Sequence, residues 1–192
     1  MLMELGKLEK RGLWFKTKKD LWLIDPSLDE VSLGREGIKG VLVSEGEYGG
    51  EDAGAGVLTI RGPGEYEAGG VEIRGFGDRG AGGATTVYRI RIDGLGVVVV
   101  TSFSQKWDEK RMEKLKGSDV LVVRVGSIPV KVAKNLVKKT GVNYLVLLGG
   151  EGGAGLKEYV DEFDLEGVAG QNKIKIEVES LPEGLEVVLL ND

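Results

Sequence analysis

Two stretches of this 192-residue chain gather groups that could do chemistry. Ser44-Glu-Gly-Glu-Tyr-Gly-Gly-Glu-Asp52 follows an apolar run and places Glu45, Glu47, Glu51 and Asp52 in one loop. Hard cations such as Mg²⁺ or Ca²⁺ take oxygen ligands, so the loop is a candidate for one, although its spacing matches no EF-hand. A solvated acidic loop is the simpler reading. Gly150-Glu-Gly-Gly-Ala-Gly155 has the GxGxxG form between an apolar run and a helical one, where backbone can approach a pyrophosphate at a helix N-terminus. Glu177 stands near the expected place of a ribose-binding acid. Against this, the helix is short, and with 32 glycines in 192 residues a chance match is cheap. The expectation is a plain glycine connection.

What the chain lacks excludes more. It has no histidine and no cysteine. Histidine titrates near neutrality and is the commonest metal ligand, and the cysteine thiolate is the strong nucleophile and soft ligand. Ser-His-Asp triads, Cys-His pairs and the usual tetrahedral zinc sites are therefore ruled out. Acid–base work would fall to carboxylates, lysines or tyrosines. Ser127 and Lys131 are four apart, which is not the SxxK spacing of a serine–lysine acyl enzyme, and Ser102 and Ser104 have no base nearby in sequence. Lys131, Lys134, Lys138 and Lys139 read as the solvated face of a helix.

The elements that would position these groups are β-rich at first. Gly12–Thr17, Asp20–Asp25, Lys39–Ser44, Val57–Arg61, Glu65–Ala68 and Val71–Gly75 read as short strands, with Gly69-Gly70 a two-residue hairpin turn. Thr85–Ile92 alternates like a half-buried strand, and after the Asp93-Gly94 turn the four valines of Val97–Thr101 suggest a strand covered on both faces. From Trp107 helices and strands alternate. Asp108–Lys116, the stretch from Pro129 to Gly141, and Leu156–Phe163 are predicted helices. Asp119–Val125, Tyr144–Leu148, Lys173–Val178 and Glu186–Leu190 are predicted strands. The pattern implies one domain over residues 1–192, a β-meander followed by βαβ units, with two sheets face to face and helices outside.

Bulk properties agree with a globular chain: 41% hydrophobic and 30% charged residues, with a net charge of −5. That charge argues against nucleic acid or anionic membrane as the main partner. Met1 to Phe15 carries Glu4, Lys7, Glu9, Lys10 and Arg11 and no apolar core of a secretory leader. The longest apolar run, Leu95 to Val100, is far short of a membrane span. With no disulfide possible, a cytoplasmic location is expected.

The order of several motifs carries a resemblance. Leu23-Ile-Asp-Pro26, Val41-Leu-Val-Ser44, Gly62-Pro-Gly-Glu-Tyr-Glu-Ala-Gly-Gly-Val71 with Ile73-Arg-Gly75, and Thr86-Val-Tyr-Arg-Ile-Arg-Ile-Asp-Gly94 resemble the metallo-β-lactamase superfamily. Asp119-Val-Leu-Val-Val-Arg-Val-Gly126 and Leu181-Pro-Glu-Gly-Leu-Glu-Val-Val-Leu189 extend the likeness almost to the end. The branch it looks like is the small "Zn-dependent hydrolase" proteins related to the UlaG-like lactonases. The resemblance implies an α/β fold: a four-layer αββα sandwich of two mixed sheets with helices outside, and metal ligands on loops at one sheet edge.

The family's ligand signature is a strand ending in Ser-His-x-His-x-Asp-His. Matched onto this chain, its first two histidines fall at Glu45 and Glu47, and its aspartate and third histidine at Gly49 and Gly50. A further histidine position falls around Asp78, the bridging aspartate at about Ser102, and the last histidine at about Gly149. No ligand position keeps its family residue. The resemblance thus implies a degenerate, catalytically inactive member without a resident metal or other cofactor. It would act as a structural or protein-interaction module, by self-association as a homo-oligomer or by pairing with an unknown protein. Two alternatives stand beside it: a hydrolase with Mg²⁺ or Mn²⁺ on Glu45 and Glu47, since carboxylates favour harder ions than imidazole does, and a nucleotide-binding module on Gly150–Gly155. Asp25, kept from the Ile-Asp-Pro motif, is expected to organise backbone around the loop.

Overall fold

The structure is a computed structural model that describes residues 2–10, 12–32, 37–46, 56–80, 83–102, 107–149 and 155–191. In chain order its elements are β1 (Leu2–Lys7), β2 (Leu13–Lys16), β3 (Leu21–Ile24), α1 (Leu28–Ser32), β4 (Ile38–Val43) and β5 (Leu58–Arg61). Next come β6 (Gly64–Ala68), β7 (Val71–Gly80), β8 (Gly83–Ile92), β9 (Leu95–Val100), α2 (Glu109–Glu113) and β10 (Val120–Arg124). The last are α3 (Val130–Thr140), β11 (Tyr144–Leu148), α4 (Leu156–Phe163), β12 (Lys173–Glu177) and β13 (Glu186–Leu190).

Two mixed sheets result. One has the order β12-β1-β2-β3-β4-β5, with β3, β4 and β5 parallel; the other has the order β13-β11-β10-β9-β8-β7-β6, with β13, β11, β10 and β9 parallel. Period-two alternation decides what faces inward. Met3, Leu5, Phe15, Trp22, Ile24, Leu42 and Ile60 of the first sheet meet Ile73, Tyr88, Ile90, Val99, Val122 and Val146 of the second in one shared core. The outer face of the seven-stranded sheet (Val98, Val100, Leu121, Val123, Leu145) is covered by Met112 of α2, Ala133 and Leu136 of α3 and Tyr159 of α4. On the outer face of the six-stranded sheet, Leu8, Leu23, Val41 and Val43 pack with Val31 of α1. This is the sandwich expected from the sequence. No helix among the described residues is long and apolar enough to cross a membrane.

The structure adds β1 and α1, which the sequence pattern did not reveal, and lengthens several predicted strands. β7 runs to Gly80 because its outer end pairs with the start of β8, Gly80 opposite Gly83. β9 starts at Leu95, directly after the Asp93-Gly94 turn. The helix predicted over Asp108–Lys116 is shorter, with Asp108 as its cap: its Oδ1 accepts a hydrogen bond from Arg111 N at 2.8 Å.

Candidate functional site

Both sheets end their parallel strands at the same edge of the sandwich, and the candidate site is built from those ends. Beyond the carboxyl ends of parallel strands the ladder stops, leaving side chains and backbone free to converge, so ligands gather there. Asp25 follows β3, Ser44 and Glu45 follow β4, Thr101 and Ser102 follow β9, Arg124 closes β10, and Gly149 follows β11.

Asp25 is the centre of this edge. Its backbone is left-handed at φ +50°, its N–H donates to Leu42 O at 2.9 Å, and Pro26 prevents the strand from continuing. Its carboxylate has no solvent exposure. Oδ1 accepts from Ser44 N at 2.6 Å, and Oδ2 accepts from Ser44 Oγ, whose hydroxyl in turn contacts Thr101 Oγ1. Asp25 thereby fixes the backbone at the end of β4. The room for this corner comes from Gly12, at φ +86°, where a Cβ would lie 2.2 Å from Ile24 O and 2.5 Å from Asp25 O.

Arg124 supplies the counter-charge. Its Nη2 lies 3.4 Å from Asp25 Oδ2, and its Nη1 donates to Glu45 Oε1. Only 14% of the Arg124 side chain and 27% of the Glu45 side chain is exposed, so the group is largely desolvated. Further links tie the sheets together at this edge: Glu45 makes an antiparallel bridge with Thr85, and Thr86 N donates to Ser44 O at 2.7 Å. Tyr88 Oη donates to Val43 O at 2.8 Å and to Ile60 O at 3.4 Å. Burial, then the Asp25 charge, holds the Tyr88 phenol well above its usual titration range.

Beside the network lies a cleft of about 740 Å³ whose wall includes Ser44, Glu45, Arg61, Asp78, Thr85 and Arg111. The Asp78 side chain is 1% exposed and lies 3.9 Å from Arg111 Nη1. Of the positions derived from the sequence, Glu45 and Asp78 come to this cleft. Ser102 is half-buried just past β9, and Gly149 donates its N–H to Leu190 O at 2.8 Å. Neither of these two lines the cleft. Glu47, Gly49 and Gly50 lie outside the described residues, as do 150–154 of the glycine motif. Its last residue, Gly155, precedes α4 at φ +78°, and a Cβ there would lie 3.1 Å from Gly126 Cα, so close backbone approach explains this glycine. Arg124 was missed from the sequence. Its signal was a lone charge at the carboxyl end of the apolar run Val120–Val123.

The donor set does not fit the zinc centre that the resemblance implies. There is no imidazole and no thiolate in the chain. Asp25 and Glu45 both face the fixed positive charge of Arg124, which a divalent cation would have to displace. Among the described residues no three carboxylates are grouped so as to hold a metal.

No family model matches the sequence, and no curated protein matches it. Solved structures do. Igni18, a metallo hydrolase from Ignicoccus hospitalis, superposes with a TM-score of 0.64 at 13% identity, over 92% of this chain and 99% of its own. The metallo-β-lactamase fold protein YhfI from Bacillus subtilis gives 0.63 at 12% identity, over 98% and 95% of the two chains. A Thermotoga maritima protein assigned to the Zn-dependent hydrolases of the metallo-β-lactamase superfamily gives 0.63 at 18% identity, over 98% of both. The chain therefore has the metallo-β-lactamase fold, and at the strand-end edge of that fold it carries an arginine–carboxylate network.

Proposed function

We propose that this chain is a non-catalytic member of the metallo-hydrolase superfamily, kept as a structural or protein-interaction module. The observation that carries the reading is the state of the two carboxylates at the strand-end edge. Asp25 accepts from Ser44 N, Ser44 Oγ and Arg124, and Glu45 is paired with the same guanidinium, so a catalytic metal on either carboxylate would have to compete with a fixed internal cation. With no histidine or cysteine in the chain, the nitrogen- and sulfur-ligated zinc centre that activates water in metallo-hydrolases cannot be assembled at this edge. The scaffold meanwhile keeps a continuous core between the sheets. Such a scaffold can serve by associating with itself or with a metal-holding relative, in the cytoplasm.

The alternative of a hydrolase with Mg²⁺ or Mn²⁺ on Glu45 and Glu47 is disfavoured by the pairing of Glu45 with Arg124. The test is elemental analysis of protein purified without chelator or a histidine tag, followed by reloading with Mg²⁺, Mn²⁺ and Zn²⁺ and assay against phosphodiester and lactone substrates. Less than a tenth of an equivalent of metal, and no turnover above buffer, is expected. Stoichiometric metal with saturable turnover overturns the proposal.

A further inference from the structure

We propose that the outer face of the β7–β8 ribbon is a binding site for a phosphate group, held by Arg89 with Arg74 and Arg91 beside it. The site lies apart from the strand-end edge and does not depend on the non-catalytic reading.

Antiparallel pairing gathers the charges. Arg74 of β7 stands directly opposite Arg89 of β8, and Glu72 stands opposite Arg91. Period-two alternation sends all four side chains to the face that carries Phe76 and Val87, outside the shared core. Like charges directly opposite each other on a sheet are destabilising. This chain nevertheless keeps an arginine pair there, although its net charge is −5 and acidic residues are in excess.

Arg89 is held in place. Its Nη1 donates to Lys114 O at 3.1 Å and its Nη2 to Gly117 O at 3.4 Å, so the turn after α2 fixes the guanidinium. Neutral carbonyls orient the group without cancelling its charge. Among the described residues neither Arg89 nor Arg91 has an ion-pair partner. Arg89 Nε is buried without an acceptor, and one N–H on each terminal nitrogen is left over. Burial, then Arg91 and Arg74, pull the Arg89 guanidinium below its ordinary value, against the opposing effect of Asp119 and Glu72. The nearby acids are largely engaged. Glu65 is 3.5 Å from Arg74 Nε, Glu113 is 3.2 Å from Lys116 Nζ, and Asp119 accepts from Gly96 N at 2.6 Å.

Room for a ligand lies over this cluster. A cleft of about 380 Å³ is walled by Arg74, Phe76, Arg89 and Lys114, with Lys114 Nζ 5.9 Å above the Phe76 ring. It shares Arg74 and Arg89 with a smaller one of about 80 Å³ that reaches Glu72 and Arg91. Guanidinium forks match the oxygens of phosphate, and their charge-assisted hydrogen bonds are the strong kind. A bound dianion would turn the repulsion between the arginines into attraction to a common centre.

The experiment follows thermal unfolding of wild type, Arg74→Gln, Arg91→Gln and Arg89→Met in sodium phosphate, in glycerol phosphate and in sodium chloride of matched ionic strength. Wild type should gain several degrees in Tm at about 10 mM phosphate and level off, with no such gain in chloride. Without phosphate, Arg91→Gln should melt no lower than wild type, because it removes a like charge from an exposed site. Its affinity for phosphate, read by calorimetric titration, should fall by about tenfold, the loss of one charge-assisted contact. Arg89→Met should lose the response. If that variant fails to fold, Arg74→Gln and Arg91→Gln decide the matter, since both side chains are exposed. Tighter binding of glycerol phosphate than of inorganic phosphate identifies the source as a phosphoester whose chain lies along Phe76; the reverse order identifies the free ion. A gain reproduced by chloride, or one undiminished in both Arg74→Gln and Arg91→Gln, overturns the proposal and leaves the reading of the strand-end edge untouched.

Discussion

Arg124 Nη2 lies 3.4 Å from Asp25 Oδ2, a contact between residues 99 positions apart in the chain and between its two sheets. A buried ion pair adds little over an apolar pair of the same shape, but removing one member leaves the other desolvated and uncompensated. Asp25→Asn isolates the charge: asparagine keeps a carbonyl oxygen for Ser44 N and tolerates the left-handed backbone that Asp25 adopts. The variant should lose about 3 kcal/mol, read as a lower urea midpoint at unchanged m-value. Asp25→Ala should lose a further 1–3 kcal/mol or so, because the buried Ser44 N–H then has no acceptor. An Asn variant as stable as wild type would show that the charge does not matter to the fold.

Gly12 sets the second prediction. A methyl group at this position meets two backbone carbonyls, Ile24 O and Asp25 O, and backbone cannot swing aside as a side chain can. Its φ of +86° is also one that L-residues avoid. Gly12→Ala should therefore destabilise the protein by about 3 kcal/mol, the sum of overpacking and left-handed strain. It should act at a distance, since the displaced carbonyls belong to the corner that orients the Asp25 carboxylate. In a double-mutant cycle with Asp25→Asn the two losses should fall short of additivity by more than about 0.5 kcal/mol. Additive losses would show that the glycine and the carboxylate act independently.

Most of the sandwich could be read from the chain because alternation and β-branched runs dominate it. Thr85–Ile92 and the valines before Thr101 lie where their periods place them, and Pro129 and Gly141 bracket α3. β1 escaped because Glu4, Gly6 and Lys7 break up an alternation carried only by Met3 and Leu5. α1 has five residues, too few for a helical period to show. At the site, the resemblance pointed to Glu45 and Asp78, yet nothing in the local sequence of either points to Arg124. Arg124 takes its meaning from two sheets closing on each other, and a charge at a strand end gives no sign by itself of what the opposite sheet will offer.

Tyr88 gives the fold an alkaline limit. Its phenol is buried in the shared core with its hydroxyl donated to Val43 O, and burial raises its titration above the ordinary 10.0. A raised folded value means that the native state keeps its proton while the unfolded chain releases it. The stabilisation is thus complete below pH 10 and is lost as pH rises from there toward the folded value. Tyr159, donating to Ile128 O and likewise raised by burial, adds to the same limb. Urea midpoints measured between pH 8 and about 11.5 should fall steeply above 10, and Tyr88→Phe should flatten that fall while costing about 1 kcal/mol at neutral pH. An unchanged slope in Tyr88→Phe would assign the limb to other groups.

Two threonines at the seam should respond to the same substitution with opposite signs. Thr101 Oγ1 contacts Ser44 Oγ in the chain of hydroxyls and carboxylate that ends on Asp25. Thr85 Oγ1 is buried with no hydrogen-bond partner among the described residues, though its backbone bridges Glu45. Valine has the shape of threonine without the hydroxyl, so it leaves packing and strand geometry in place and changes the polar group alone. At Thr101 the change removes a buried partner from a connected network and should cost about 1–2 kcal/mol. At Thr85 it removes a polar atom that is desolvated without compensation, and the protein should be unchanged or more stable by roughly 1 kcal/mol. Chemical unfolding of the two single variants reads the difference directly. A loss at Thr85 as large as that at Thr101 would mean that the Thr85 hydroxyl is held by a partner at the cleft.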